Sequence, residues 1–63
     1  MNDLINKEVE LYLDKKIVTH GTLVQSKKDN NCYKVLNPSY NDWFFKYNEV
    51  INIKENKIFI KFP

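Results

Sequence analysis

The stretch KEVELYLDKKIVTHGTLVQ, residues 7–25, predicts a β-hairpin on which the rest of the fold is built. In its first half Val9, Leu11 and Leu13 alternate with polar residues. This period of two places three apolar side chains on one face of a half-buried strand. A polar turn follows at residues 14–16, and β-branched side chains then dominate the return strand.

The return strand, predicted over residues 17–24, contains the only glycine of the chain, Gly21. Glycine inside a strand lowers stability unless the backbone bulges, bends or comes very close to another backbone. We therefore predict a bend at Gly21. Such a bend lets one strand take part in both halves of a small barrel.

Further short strands follow, separated by turns rich in asparagine, aspartate and proline. They are predicted at residues 32–36, 43–47, 50–53 and 58–62. Apolar residues at helical spacing occur only in one N-terminal turn, at Leu4 and Ile5. This pattern indicates an all-β fold, a small five- to six-stranded barrel with a short N-terminal helical turn. The predicted core consists of Val9, Leu11, Leu13, Leu23, Val35, Val50 and Ile53.

Length and cysteine content limit the kind of protein this is. A chain of 63 residues predicts one small domain over residues 1–63. Cys32 is the only cysteine, which excludes an internal disulfide and indicates a reducing setting. The sequence shows neither a signal peptide nor an apolar run of membrane-spanning length. We expect a cytoplasmic protein with no membrane partner.

The chain has a net charge of +2, and all ten of its basic residues are lysine. Nine asparagines, six isoleucines and no alanine indicate the amino-acid usage of an AT-rich genome, so the number of lysines alone does not indicate nucleic-acid binding. Without arginine the chain also lacks the side chain best suited to bidentate contacts with guanine or phosphate. The positions of the lysines must therefore carry any such prediction.

The order of residues resembles that of Sm-like and related SH3-like small barrels, in particular short bacterial Sm-like proteins of Gram-positive organisms and their phages. The resemblance covers residues 4–53. It is carried by LINKEVELYLDKK, by Gly21-Thr22-Leu23, and by WFFKYNEVINI with Val50 and Ile53 in an I-x-x-I pattern. It implies a barrel with a tendency to form rings and, in RNA-binding relatives, an RNA site. An SH3-like adaptor is the competing relative.

Two departures from the Sm-like pattern fall where that family binds RNA. Asp29 and Asn31 lie near the place of the family's aspartate and asparagine, but at a different spacing. Lys46-Tyr47-Asn48 stands where the family has an arginine-glycine pair. The resemblance therefore implies the fold more directly than it implies the RNA site.

Few residues indicate catalysis. His20 is the only histidine and has no paired nucleophile or carboxylate cluster, so a structural or solvent-facing role is expected. Cys32 is expected to be a buried small residue rather than a reactive thiolate. Glu8, Glu10 and Asp14 lie on the polar face of the first strand, where carboxylates are ordinarily solvated. We predict a non-enzymatic protein without cofactor or metal.

Alternation divides the aromatic residues of the predicted fourth strand between two faces. One face carries Trp43, Phe45 and Tyr47, and the other carries Phe44 and Lys46. Only one of these faces can belong to the core. The other aromatic side chains are therefore left for solvent, a ligand or another subunit.

A polar, lysine-containing turn at residues 26–31 precedes this aromatic strand. Exposed rings can stack on bases while lysines neutralise phosphates. The candidate nucleic-acid-binding residues are Lys27, Lys28, Asn30, Asn31, Tyr40, Trp43, Lys46 and Tyr47. Three interpretations stay open: core and subunit contact alone, binding of single-stranded RNA or DNA or of a nucleotide, and a protein-binding surface. We predict a nucleic-acid- or nucleotide-binding module, with a phage-type inhibitor of a host protein as the alternative.

Self-association is also expected. Ile58, Phe59, Ile60 and Phe62 place apolar side chains on both faces of the last predicted strand. A small barrel can bury only one of these faces in its own core. The other face predicts a homo-oligomer, formed through strand edges or through the C-terminal hairpin.

Overall fold

The computed structural model describes residues 1–61, and within them six strands form one mixed sheet. The strands are β1 (Glu8–Leu13), β2 (Lys16–Gln25), β3 (Cys32–Leu36), β4 (Trp43–Lys46), β5 (Val50–Lys54) and β6 (Lys57–Ile60). Two 3-10 turns, Asn2–Leu4 and Tyr47–Glu49, complete the regular structure. The predicted all-β class and the short N-terminal helical turn are confirmed.

The sheet order is β4-β3-β2-β1-β6-β5, so the strand that contains Gly21 lies near its centre. Neighbouring strands are antiparallel except β1 and β6, which are parallel. The β1–β2 hairpin closes through Asp14 and Lys15, which both have positive φ, 52° and 67°. Two positive φ values at the centre of a two-residue loop match the right-handed twist of the flanking strands.

Strand β2 uses its two halves for two different neighbours. Its first half pairs with β1, from Leu13↔Lys16 to Glu8↔Thr22. Its second half pairs with β3, beginning at Thr22↔Leu36. The change of partner therefore falls at Thr22, directly after Gly21.

Gly21 of β2 lies directly against the backbone of β3. Its φ is +155°, and a Cβ atom added there would lie 2.0 Å from the carbonyl oxygen of Leu36 and 3.2 Å from Cγ1 of Val35. Both the backbone angle and the contact with a neighbouring backbone exclude a side chain. The single glycine of the chain is thus explained by close backbone approach.

The core lies on the concave side of the sheet and is closed at one end by the N-terminal turn. Buried apolar residues are Leu4, Val9, Leu11, Leu23, Tyr33, Val35, Phe45, Ile58 and Ile60. Of the predicted core, Val9, Leu11, Leu23 and Val35 are buried, while Leu13 and Val50 are half-buried and pack against the cluster. The prediction for Ile53 is wrong, because this side chain is 37% exposed.

A bulge in β5 explains the I-x-x-I spacing of Val50 and Ile53. The register passes from Val50↔Ile60 to Asn52↔Phe59, which leaves Ile51 as the extra residue. Val50 and Ile53 therefore share the face of the buried Ile60 and Ile58, although a regular strand would place them on opposite faces. Ile53 still stays exposed because β5 is an edge strand with no neighbour on its outer side.

The two edge strands β4 and β5 are consecutive in the chain and are joined only by the 3-10 turn Tyr47–Glu49. In a flat sheet they would lie about 24 Å apart, whereas the backbone from Lys46 to Val50 can span at most about 14 Å. The sheet must therefore curl until its edges approach each other at this turn. Within residues 1–61 no strand ladder joins β4 to β5, so closure into a barrel stays a prediction.

Strand β6 buries one face and shields the other. Ile58 and Ile60 are buried, whereas Phe59 stacks on Tyr12 of β1 with ring centroids 4.9 Å apart. Desolvation raises the pKa of Tyr12. The Glu10 carboxylate adds to the shift, since its Oε1 accepts a hydrogen bond from the Tyr12 hydroxyl at 3.1 Å. The outward Phe59 side chain thus packs on another side chain of the same sheet, and self-association stays a prediction. Phe62 lies outside the described residues.

Within residues 1–61 no helix has the length and apolar character needed to cross a membrane.

We expect Gly21→Ala to destabilise the fold by about 3 kcal/mol or more, because the new methyl group meets the Leu36 carbonyl and the backbone angle is unfavourable for alanine. Thr22→Ala, one residue further along the same strand, should cost only about 1 kcal/mol. Urea denaturation followed by circular dichroism measures both. Equal stability of the two variants would show that β2 and β3 can move apart at Gly21 without a loss of stability, and would contradict this prediction.

Candidate nucleic-acid interface

The predicted site residues lie in three separate depressions. Lys27 and Lys28 line an open groove, Asn31, Lys46 and Tyr47 line a second depression, and Tyr40 lies at a third. The side chain of Asn30 is exposed in the β2–β3 loop, and Trp43 is half-buried against the core. The structure therefore brings the two loop lysines together, but it does not gather the whole predicted set into one site.

Register and burial define which face of β2, β3 and β4 points away from the core, and this face is called the outer face here. Tyr33 and Val35 of β3 are buried and pair with Phe45 and Trp43 of β4, so these side chains point inward. The alternate pair Lys34↔Phe44 must then point outward, and Val24 of β2 lies opposite Lys34 on the same face.

The groove at the centre of this outer face is called the Phe44 groove here. It has a volume of about 470 Å³ and is lined by Val24, Gln25, Ser26, Lys27, Lys28, Lys34 and Phe44. The Phe44 ring is 63% exposed, and Nζ of Lys34 lies 5.9 Å from its centroid. Three ammonium groups and one exposed ring thus share a single concave surface.

The loop that carries Lys27 and Lys28 is fixed by its own polar groups. The Ser26 hydroxyl accepts from the backbone N–H of Lys28 at 3.3 Å, and Oδ1 of Asp29 accepts from that of Asn31 at 2.9 Å. The Gln25 side chain donates to the carbonyl of Asn30 at 2.7 Å. The two lysines are therefore presented from an ordered turn, which lowers the conformational entropy lost when a ligand binds.

The second depression, beside the 3-10 turn Tyr47–Glu49, is called the Tyr47 depression here. It measures about 330 Å³ and is lined by Asp29, Asn31, Lys46, Tyr47 and Asn48. The Tyr47 ring is 53% exposed and lies 6.4 Å from the ring of Tyr33. Oε1 of Glu49 accepts from the backbone N–H of Lys46 at 2.7 Å. Asp29 lines this depression and Glu49 lies beside it, so their negative charges make it less favourable for an anion than the Phe44 groove is.

Cys32 stands beside these carboxylates. Partial burial raises the pKa of its thiol, the charge of Asp29 raises it further, and Sγ donates to Oδ2 of Asp29 at 3.6 Å. Lys46 opposes the shift, whereas Glu49 adds to it. The thiol is therefore held in its protonated, weakly nucleophilic form.

The third depression, called the His20 pocket here, has a volume of about 340 Å³. Its lining includes Glu8, His20, Thr22, Leu36, Asn37 and Tyr40. Nδ1 of His20 lies 3.2 Å from Oε1 of Glu8, and both side chains are more than half exposed. Asn37 is buried and holds the wall, since Nδ2 donates to the carbonyl of His20 and Oδ1 accepts from the N–H of Ser39, both at 2.8 Å.

Within residues 1–61 no cluster of three or more histidine, cysteine, aspartate or glutamate side chains is placed to hold a metal ion.

Of the seven residues that line the Phe44 groove, only Lys27 and Lys28 belong to the predicted site, and the third lysine and the exposed ring, Lys34 and Phe44, do not. Alternation along the sequence places Phe44 and Trp43 on different faces of β4. The structure shows that the Trp43 face is the core face. Trp43 is therefore half-buried and packs against the core, whereas Phe44 is the ring exposed in the groove. The register that sets Lys34 beside Phe44 could not be derived from either segment alone.

Comparison with models of protein families, with curated proteins and with solved structures gives no match for this chain. The resemblance to Sm-like and SH3-like barrels thus stays a prediction. What the structure defines is a small all-β domain with a lysine-lined aromatic groove on one face.

We expect Cys32 to react with iodoacetamide more slowly at neutral pH than free cysteine does, because its raised pKa leaves less thiolate. Asp29→Asn should move the pH midpoint of alkylation downward, since the variant removes the negative charge nearest the sulfur. Asp42→Asn, an exposed carboxylate of the β3–β4 loop, is the control and should leave the midpoint in place. A wild-type midpoint at or below that of free cysteine would contradict this description of the site.

Proposed function

We propose that this chain is a non-enzymatic module that binds single-stranded nucleic acid, or a nucleotide, in the Phe44 groove. The observation that carries the proposal is the exposed Phe44 ring surrounded by Lys27, Lys28 and Lys34. Base stacking on an exposed ring is independent of sequence and contributes about 1 to 3 kcal/mol for each base. The lysines supply the positive charges that a phosphate backbone needs.

Charge supports the Phe44 groove over the Tyr47 depression as the phosphate site. Among the described residues that line the groove there is no aspartate or glutamate, and none of its three lysines has a carboxylate within ion-pair distance in residues 1–61. Their charges are thus available to a ligand. Because arginine is absent from the chain, each lysine acts as a point charge toward phosphate rather than as a bidentate donor.

The shape of the outer face favours a single strand over a duplex. Phe44 projects from a sheet surface and stands next to Lys34, so a ring that stacks on it must first be free of its own base-paired stack. Single-stranded bases meet this condition at a lower unstacking cost than paired bases do. A mononucleotide meets it as well, with fewer phosphates for the lysines to contact.

The alternative partner is a protein, for example a host protein that this chain inhibits. An acidic segment with one apolar anchor could use the same ring and lysines. The two proposals differ in salt dependence, because counterion release from a nucleic acid follows the number of phosphates contacted. They also differ in sensitivity to nuclease.

We expect fluorescence anisotropy with a short labelled single strand to give a plot of log K against log salt with a slope of about −2, which is about −0.7 for each of three phosphates. K27Q/K28Q/K34Q should flatten this slope and weaken binding. K15Q/K16Q/K54Q removes the same charge from exposed lysines outside the groove and should preserve the slope. Phe44→Leu should weaken binding about fivefold or more without changing the slope, whereas Ile17→Ala, an exposed apolar residue of β2, should not weaken it.

Two results would contradict the proposal. One is an equal flattening of the salt slope by both triple variants. The lysine charges would then act through the net charge of the protein and not through the groove. The other is the absence of binding at low salt, together with a protein partner that stays bound to the chain after nuclease treatment. That second result would support the alternative that the groove binds a protein.

A further inference from the structure

The His20 pocket lies next to the Phe44 groove on the same outer face. Glu8 of β1, Thr22 of β2 and Leu36 of β3 stand opposite one another in register. Val24 and Lys34 form the neighbouring row, two residues further along β2 and β3. Two residues correspond to about 6.7 Å along a strand. A ligand held in the Phe44 groove therefore has its next unit at the His20 pocket.

The two sites are opposite in charge. Three lysines line the groove, whereas Glu8 lines the pocket and lies 3.2 Å from His20. A carboxylate repels phosphate and accepts hydrogen bonds from N–H groups. A strand that crosses both sites would thus place its phosphates on the lysines and a hydrogen-bond-donating base edge at Glu8.

Hydrogen bonding within the pocket leaves Glu8 available. For the short contact with the carboxylate, Nδ1 of His20 must be the protonated nitrogen, and this occupies one lone pair of Oε1. No hydrogen bond to the second carboxylate oxygen of Glu8 is present within residues 1–61, and Tyr40, which is 69% exposed, also lines the pocket. Asn37 has both polar groups of its side chain engaged within the protein and so serves the wall rather than a ligand.

Guanine is the base whose edge fits these groups. Its Watson–Crick edge presents two adjacent donors, N1–H and the N2 amino group, to the two oxygens of a carboxylate. Uracil presents one N–H between two carbonyl oxygens, which would face the negative charge of Glu8. Tyr40 at the rim offers a ring on which the purine can stack.

We infer that the His20 pocket is a guanine-selective base subsite, with Glu8 as the residue that reads the base edge and His20 as the residue that orients Glu8. This inference rests on the proposed function, because it requires a strand in the neighbouring Phe44 groove.

The test compares a labelled oligouridine with the same oligomer carrying one central guanosine, by anisotropy at low salt. The wild type should bind the guanosine oligomer about tenfold more tightly, the preference expected of one bidentate base contact. Glu8→Gln should reduce the ratio of the two affinities to about one. Asp14→Asn removes the same charge at the opposite end of β1 and should leave the ratio at its wild-type value.

A second measurement does not depend on the variants. Guanosine monophosphate should displace the labelled oligouridine from the wild type at about tenfold lower concentration than uridine monophosphate, although both carry the same phosphate. If the wild type binds both oligomers equally, or if Glu8→Gln keeps the guanosine preference, the guanine subsite is refuted while the proposed function stands. If neither oligomer binds, both fail together.

Discussion

The approach of β2 to β3 at Gly21 is the constraint on which the fold depends. A Cβ atom at this position would stand 2.0 Å from the Leu36 carbonyl oxygen, so only glycine lets the two backbones meet. The same point is where β2 exchanges β1 for β3 as its partner. Without that close contact the two halves of the sheet could not share one strand, and the core between them would open.

From this contact the outer face follows by alternation. Thr22↔Leu36 sets the register of β2 on β3, and each later pair is then fixed, including Val24↔Lys34. The pairing of β3 with β4 extends the row to Phe44. The position of the candidate binding groove is therefore a consequence of the backbone contact at Gly21, although Gly21 itself lines only the neighbouring pocket.

Sequence reasoning succeeded where local signals decide structure. The period of two in β1 and the β-branched return strand predicted the hairpin, and β3 has the predicted bounds. The unusual glycine predicted a bulge, a bend or a close backbone approach, and the structure shows a close approach. It failed at Ile53, because exposure there depends on β5 being an edge strand. Burial of an apolar residue in a small sheet depends on its neighbours, which a single strand's sequence does not reveal.

The site was predicted in part for the same reason. Lys27 and Lys28 were recognised from their position in a polar turn, whereas Lys34 and Phe44 become partners only through cross-strand register. Trp43 carried the stronger sequence signal, yet it packs toward the core, so the smaller ring is the exposed one. Long-range pairing and not residue type determined which aromatic side chain could meet a ligand.

The central claim is that the outer face of β2, β3 and β4 binds a single strand. An NMR titration of backbone amide resonances with a short oligonucleotide at low salt tests this claim most directly. The account predicts that the shifted resonances concentrate at Val24, Lys27, Lys28, Lys34 and Phe44 and that added salt reverses the shifts. Shifts concentrated on β5 and β6, around Ile53 and Phe59, or no shifts at all, would contradict it.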